Sequence, residues 1–72
     1  MVDDVQTRLA QRIKQKRRQV GMTQEELAAR TGLDYKYVQK IEGKNPPAVR
    51  IDTLERVAKA LKTTPAELLR FK

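Results

Sequence analysis

Helix start and stop signals follow one another closely in the middle of this chain. Thr23 is followed three positions later by Glu26. This is the capping-box pattern, in which the threonine oxygen accepts from the Glu26 N–H and the glutamate side chain reaches back to the threonine N–H. Gly32 then ends that helix, and Asp34 supplies a cap for the next one. The chain is therefore restricted here to two short helices joined by a tight turn, over about residues 23–43.

Apolar residues on both sides of this helix pair also recur with the helical period. Gly21 ends a first helix, Pro46 and Pro47 mark a loop before a fourth, and a capping box at 64–67 opens a fifth. The predicted inward positions are Val2, Val5, Leu9, Ala10 and Ile13 in the first helix, Val38 and Ile41 in the third, and Ile51, Leu54, Val57, Ala58 and Leu61 in the fourth. No segment alternates with period two, so the fold class is predicted to be all-α with five helices.

Length and composition narrow the possible functions. With 72 residues, the chain is predicted to be a single domain over 1–72. It has no cysteine, histidine or serine, so catalytic triads, thiol nucleophiles, disulfides and zinc clips are excluded, and we expect no enzyme activity, metal or cofactor. Apolar runs are too short for a membrane span, and the acidic start argues against a secretory signal, so a cytoplasmic, prokaryotic location is expected.

Charge points to an anionic partner. Sixteen lysines and arginines against nine acids give a net charge of +7, and a compact domain with that excess attracts polyanions. If Val38 and Ile41 of the third helix face inward, Lys36, Gln39 and Lys40 lie opposite them, with the tyrosines on the flanks. Lysine and glutamine are able to donate to base edges in a DNA major groove. The alternative is an ordinary solvated face.

Three runs of residues carry a family resemblance. They are Met22–Ala28 with Thr31-Gly32-Leu33, Val38 through Ile41-Glu42-Gly43, and Leu54–Leu61 with Thr64–Leu69. In this order and spacing they strongly resemble the phage repressor/Cro-like helix-turn-helix family, often called XRE-type. The resemblance covers about Leu9 to Leu69. It implies a five-helix repressor/Cro-like domain whose helices 2 and 3 form the helix-turn-helix.

The resemblance also implies a function. A small transcriptional regulator of this family would bind double-stranded DNA through a recognition helix at about 34–42 in the major groove. It would bind as a homodimer to two half-sites about 34 Å apart. Leu68, Leu69 and Phe71 are candidates for the dimer contact, or they only close the monomer core. The alternative function is an antitoxin-like or adaptor module whose main partner is another protein, because one fold hosts several functions.

Site residues follow from matching positions. The resemblance implies base reading by Tyr35, Lys36, Gln39 and Lys40, and a salt bridge between Arg17 and Glu42. Gln24 matches a glutamine that holds a phosphate and stacks against the recognition helix. The other predicted phosphate contacts are Arg12, Lys16, Thr23, Tyr37, Lys44, Asn45 and Arg50. The chain departs from the family where Gly43 follows Glu42 without an intervening residue, and where the usual Ser or Thr cap of the fourth helix is absent around Val49-Arg50.

Overall fold

The computed structural model of the protein describes residues 4–70. Over these residues it contains five helices and no strand, which confirms the predicted all-α class. The helices are α1 (Val5–Gln19), α2 (Gln24–Thr31), α3 (Tyr35–Ile41), α4 (Ile51–Ala60) and α5 (Pro65–Leu68). No helix among the described residues is both long enough and apolar enough to cross a membrane.

Cap residues explain both ends of α1 and the start of α2. Asp4 begins α1 by accepting from the Thr7 N–H at 2.8 Å. Gly21, with φ of +72°, ends it in a left-handed turn, and the Met22 N–H returns to the Arg17 carbonyl at 3.0 Å. Both halves of the capping box at Thr23 and Glu26 are formed, as predicted. Both helices therefore begin where a side chain satisfies a free backbone N–H, and α1 ends where the turn satisfies a free carbonyl.

All five helices contribute to one apolar core. Its fully buried side chains are Ile13, Leu27, Val38, Ile41, Val57, Leu61 and Leu68. Helix α2 lies between α3 and α4, and α5 packs against both α1 and α4. This arrangement covers the inward face of α3 and leaves its other face to solvent.

Two predicted core residues lie outside the core. Val5 is 59% exposed and Ile51 is 85% exposed, so their assignment to the inward stripes was wrong. Each is the first residue of its helix, and the packed faces begin one turn later, at Leu9 and Leu54. The helical period identifies a face, but it does not say how far neighbouring helices cover that face. Val2, which was also assigned to the first stripe, lies outside the described residues.

The last helix forms with half of its predicted capping box. Thr64 accepts from the Glu67 N–H at 3.2 Å, and Pro65 occupies the first helical position as expected. The Glu67 carboxylate instead lies 3.3 Å from the Arg70 guanidinium. Helix α5 is therefore a single turn held mainly by its packing.

A pH prediction follows from the complete capping box. The hydrogen bond from the Thr23 backbone N–H lowers the pKa of the Glu26 carboxyl below its usual 4.5. A lowered folded-state pKa stabilises the fold above pH 4.5, and this contribution is lost as the pH falls through the folded value. We expect Glu26→Gln, which keeps an acceptor for the same N–H, to be less stable than wild type at pH 7 and to match it at acid pH. Urea unfolding of both proteins from pH 7 to pH 2.5 measures this difference, and a difference independent of pH would contradict the prediction.

Lys62 offers a stabilising substitution. It has φ of +60° and directly follows Leu61, the C-cap residue of α4, and the Thr63 N–H returns to the Ala58 carbonyl at 2.9 Å. This is the position that glycine occupies at most helix ends of this type, because a Cβ is strained there. We expect Lys62→Gly to raise the free energy of unfolding by about 0.5–1 kcal/mol in urea titrations. The control is Lys59→Gly within α4, which should lower it by about 1 kcal/mol. Equal losses in both variants would contradict the prediction.

Candidate nucleic-acid interface

Helix α3 presents a basic outer face. Asp34 begins the helix with its side chain 3.4 Å from the Lys36 N–H, and the buried Val38 and Ile41 attach it to the core. The four predicted base-reading side chains are all exposed on it: Tyr35, Lys36, Gln39 and Lys40. The helix contains no acidic residue. It therefore offers a solvent-facing surface of hydrogen-bond donors with positive charge.

A buried ion pair fixes the end of this helix. Arg17 Nε donates to Glu42 Oε2 at 2.8 Å, and the second nitrogen of the fork, Nη2, donates to Oε1 at 3.0 Å. Arg17 Nη1 also donates to the Met22 carbonyl at 2.7 Å. The side chains of Arg17 and Glu42 are 10% and 1% exposed. The pair therefore joins α1, the α1–α2 turn and the end of α3 in a two-point geometry that a lysine could not reproduce.

Gln24 belongs to the same network. Its Nε2 donates to Glu42 Oε1 at 3.0 Å, so the first residue of α2 is held against the last turn of α3. The side chain is half-buried, and the neighbouring Thr23 hydroxyl oxygen accepts from Glu26. A threonine hydroxyl that accepts one bond keeps a proton to donate. Gln24 and Thr23 thus lie together where the α2 N–H groups begin.

The other predicted phosphate contacts have different environments. Lys44, Asn45 and Arg50 are exposed in and after the α3–α4 loop, and Arg50 Nε is 3.3 Å from Asp52 at the surface. Lys16 is half-buried on α1, and Tyr37 is half-buried with its ring against the core. Lys44 and Asn45, which directly follow α3, are exposed and able to approach a polyanion.

Arg12 makes two hydrogen bonds that were not predicted. Its Nη2 donates to the Glu67 carbonyl at 3.0 Å, and Nη1 donates to Gln15 Oε1 at 3.2 Å. The guanidinium therefore gives a further donor to a carbonyl at the end of α5, which also accepts from the Arg70 N–H at 3.2 Å. These bonds use two of its five N–H donors, and the phosphate contact of Arg12 stays a prediction. Its acceptor is 55 residues away in the chain, so no local pattern marks the contact.

Gly43 lets the chain turn immediately after α3. A Cβ at this position would lie 3.2 Å from the Gln39 carbonyl oxygen and 3.4 Å from that of Lys40. Glycine avoids this crowding, so the loop begins directly after Glu42 without disturbing the ion pair. Helix α4 then begins at Ile51, and its N-cap residue Arg50 makes no side-chain cap hydrogen bond, in agreement with the missing Ser or Thr.

A second basic surface was not predicted. An open groove with a volume of about 400 Å³ is lined by four cationic side chains. They are Arg30 of α2, Arg56 and Lys59 of α4, and Lys62 just beyond the end of α4. The groove shares no residue with α3 or the α3–α4 loop. The four cations are spread over 33 positions and belong to two helices, so only tertiary packing brings them together.

Comparison with known proteins identifies the family. The family profile of the Cro/C1-type HTH DNA-binding domain matches residues 7–72. This chain is a Cro/C1-type domain. In that framework, α2 and α3 are the helix-turn-helix, and the exposed face of α3 is that of its second helix. No curated protein sequence matches the chain.

Several solved structures resemble this Cro/C1-type domain over nearly its full length. The restriction-modification controller protein C.AhdI from Aeromonas hydrophila is 33% identical with a TM-score of 0.82, covering 88% of this chain and 94% of its own. C.Esp1396I bound to a 25-base-pair operator site is 32% identical with a TM-score of 0.83, covering 94% and 92%. The biofilm master regulator SinR in complex with DNA is 34% identical with a TM-score of 0.81, covering 86% and 98%.

Proposed function

We propose that this protein is a small transcriptional regulator that binds double-stranded DNA sequence-specifically, with α3 in the major groove. The observation that carries the proposal is the outer face of α3, on which donors and cations are exposed while the opposite face is locked into the core. The operator-bound C.Esp1396I and DNA-bound SinR support it, because both resemble this chain over most of their length.

Base reading would use side chains with distinct chemistry. Lys36 and Lys40 are suited to donate to guanine O6 and N7, and Gln39 to pair with both N6 and N7 of adenine. Tyr35, at the start of the helix, would contact a thymine methyl or a phosphate. These four residues are thus the proposed source of sequence preference.

Phosphate contacts would position the helix without reading sequence. Gln24 is held by Glu42 at the start of α2, and Thr23 retains a hydroxyl proton to donate. The further proposed contacts are Lys16, Tyr37, Lys44, Asn45 and Arg50. No acidic residue lies within α3, so the nearest exposed carboxylate before the four base readers is the cap residue Asp34.

A homodimer on DNA is part of the proposal. Seven residues of α3 span about 10 Å, or about three base pairs, which is too little to specify an operator alone. A second copy on a half-site about 34 Å away would double the readout. Of the predicted dimer residues, Leu68 is fully buried and serves the monomer core, whereas Leu69 is exposed and available. Phe71 lies outside the described residues.

The proposal describes a binding protein and not an enzyme, acting in the cytoplasm of a prokaryote where operator DNA is accessible. The full sequence has no histidine, cysteine or serine, which removes the commonest nucleophiles and general bases. An adaptor or antitoxin-like role remains the second candidate. The basic groove of Arg30, Arg56, Lys59 and Lys62 favours it, because the groove would attract an acidic protein surface away from α3.

Selection from a random duplex library tests the proposed function. At physiological salt, the wild-type protein should enrich a motif made of two inverted half-sites. The symmetry would report the dimer, and the motif would report the base preferences. If no motif is enriched while the protein still binds duplexes non-specifically, the sequence-specific proposal is wrong and the adaptor role is favoured.

Two phosphate-site variants should weaken binding in different ways. Lys44→Ala should reduce affinity for all sequences and decrease the slope of log K against log salt by about 0.9, because one counterion fewer is released. Gln24→Ala should also weaken all sequences, but it should leave the slope unchanged because glutamine carries no charge. Fluorescence anisotropy at several salt concentrations measures both. A changed base preference in either variant would contradict a phosphate role.

A further inference from the structure

One hydrogen bond lies on the reading face itself. Gln39 Nε2 donates to the Tyr35 hydroxyl oxygen at 3.2 Å. The two residues are four positions apart, so they are neighbours on one face of α3, and both are exposed. The bond therefore connects two side chains on the surface that would meet the bases.

The direction of this bond leaves the recognition chemistry of the amide intact. A glutamine side chain has two N–H donors and one carbonyl acceptor. One N–H is used on Tyr35, so the other N–H and Oε1 remain free. Those are the two groups that pair bidentately with N7 and N6 of adenine. The tyrosine hydroxyl, which accepts from Gln39, keeps its own proton for a phosphate or a base acceptor.

Fixing the amide has a consequence for specificity. A free glutamine samples many rotamers, and exchanging its nitrogen and oxygen would present a donor where adenine N6 needs an acceptor. The bond to Tyr35 holds the Gln39 side chain in one rotamer before DNA arrives, which reduces the ordering cost of binding. Lys36 and Lys40 lie on the same face but carry only donors. A lysine could therefore hold Gln39 only through Oε1, and it would compete for the acceptor that adenine N6 needs.

We propose that Tyr35 is a positioning residue for Gln39, whose side chain it holds in place to read an adenine in the major groove. This inference rests on the proposed DNA-binding function. It assigns Tyr35 an effect on the base pair contacted by Gln39, in addition to any contact that Tyr35 makes itself. The two positions therefore act as one unit of specificity.

Two tyrosine-to-phenylalanine variants form a matched pair for the test. Tyr35→Phe removes the hydroxyl that accepts from Gln39. Tyr37→Phe removes a hydroxyl from the same helix, from a ring that packs on the core. The same library selection is applied to the wild type and to these two variants. It is also applied to Gln39→Ala and to the double variant that combines Tyr35→Phe with Gln39→Ala. In the absence of DNA, NMR of the Gln39 side-chain amide reports whether the contact exists in the free protein.

Tyr35→Phe is expected to lower discrimination about three- to tenfold at the base pair that Gln39→Ala also relaxes. It should have a much smaller effect in the Gln39→Ala background and should shift the Gln39 amide resonances in the free protein. Tyr37→Phe, at a proposed phosphate contact, should weaken binding to all sequences alike, and it should change neither that base preference nor those resonances. If the wild type enriches a motif but Tyr35→Phe leaves either the base preference or the Gln39 amide resonances unchanged, this inference is wrong and the proposed function stands. If the wild type enriches no motif, the proposed function fails first and the inference fails with it.

Discussion

Replacing Arg17 with methionine is expected to destabilise the domain by about 3–5 kcal/mol. The variant leaves the Glu42 carboxylate buried, with its side chain 1% exposed and only the Gln24 amide as a side-chain partner. A domain of this size has a total stability of about 4–11 kcal/mol, so the variant would unfold substantially if the wild type lies at the low end of that range. Urea unfolding followed by circular dichroism measures the loss.

A double-mutant cycle separates the ion pair from other effects of Arg17. Arg17→Met combined with Glu42→Gln removes both charges, while the amide introduced at position 42 still offers an oxygen to Gln24. We therefore expect the double variant to be clearly more stable than the sum of the two single losses predicts. Arg18→Met is the matched control, because Arg18 is exposed on the same helix, and it should change stability by less than about 0.5 kcal/mol. A coupling energy of zero would show that the pair contributes nothing specific.

Removing Lys36 and Lys40 together is expected to produce the largest loss of DNA affinity. Each lysine should contribute about 1–3 kcal/mol at the base pair it contacts. The loss should therefore be concentrated at two positions of the selected motif and not spread evenly over all sequences. Anisotropy titrations of Lys36→Ala, Lys40→Ala and the double variant against the motif and its single-base variants measure it.

The basic groove supplies the charge-matched control. Arg56→Ala with Lys59→Ala removes the same two charges from α4, at exposed positions that share no helix with α3. If reading by α3 is the source of affinity, this variant should retain the wild-type base preference and most of the affinity for the motif. Equal losses in the two double variants would mean that the protein binds DNA through its net charge alone.

Much of the helix-turn-helix could be predicted from local chemistry. The cap at Asp34 and the stop at Gly43 gave a recognition helix at about 34–42, and the structure has α3 at Tyr35–Ile41 with caps at 34 and 42. Capping depends on residues within one turn, so the signal and the structure it causes are adjacent in the chain. The exposed positions of the four proposed base readers follow from the same helix and its buried Val38.

Long-range contacts could not be predicted in the same way. Arg12 and Lys44 are both basic residues in polar stretches, yet Arg12 donates to the Glu67 carbonyl while Lys44 is exposed. Ile51 lies at the expected helical phase but beyond the edge of the core. In each case, the presence or absence of a neighbouring helix decides the environment of the side chain. Hydrophobic periodicity contains no information on which helices meet.

By itself, the sequence determined the five helices, their ends, the inward face of α3 and a positive charge suited to DNA, because each depends on local hydrogen bonds or on composition. Tertiary structure decided which polar side chains meet. It brought Gln24 to the Glu42 already paired with Arg17, assigned Arg12 to α5 and gathered four cations into a groove. Such contacts depend on distances between helices that are far apart in the chain, and only the packed core sets those distances.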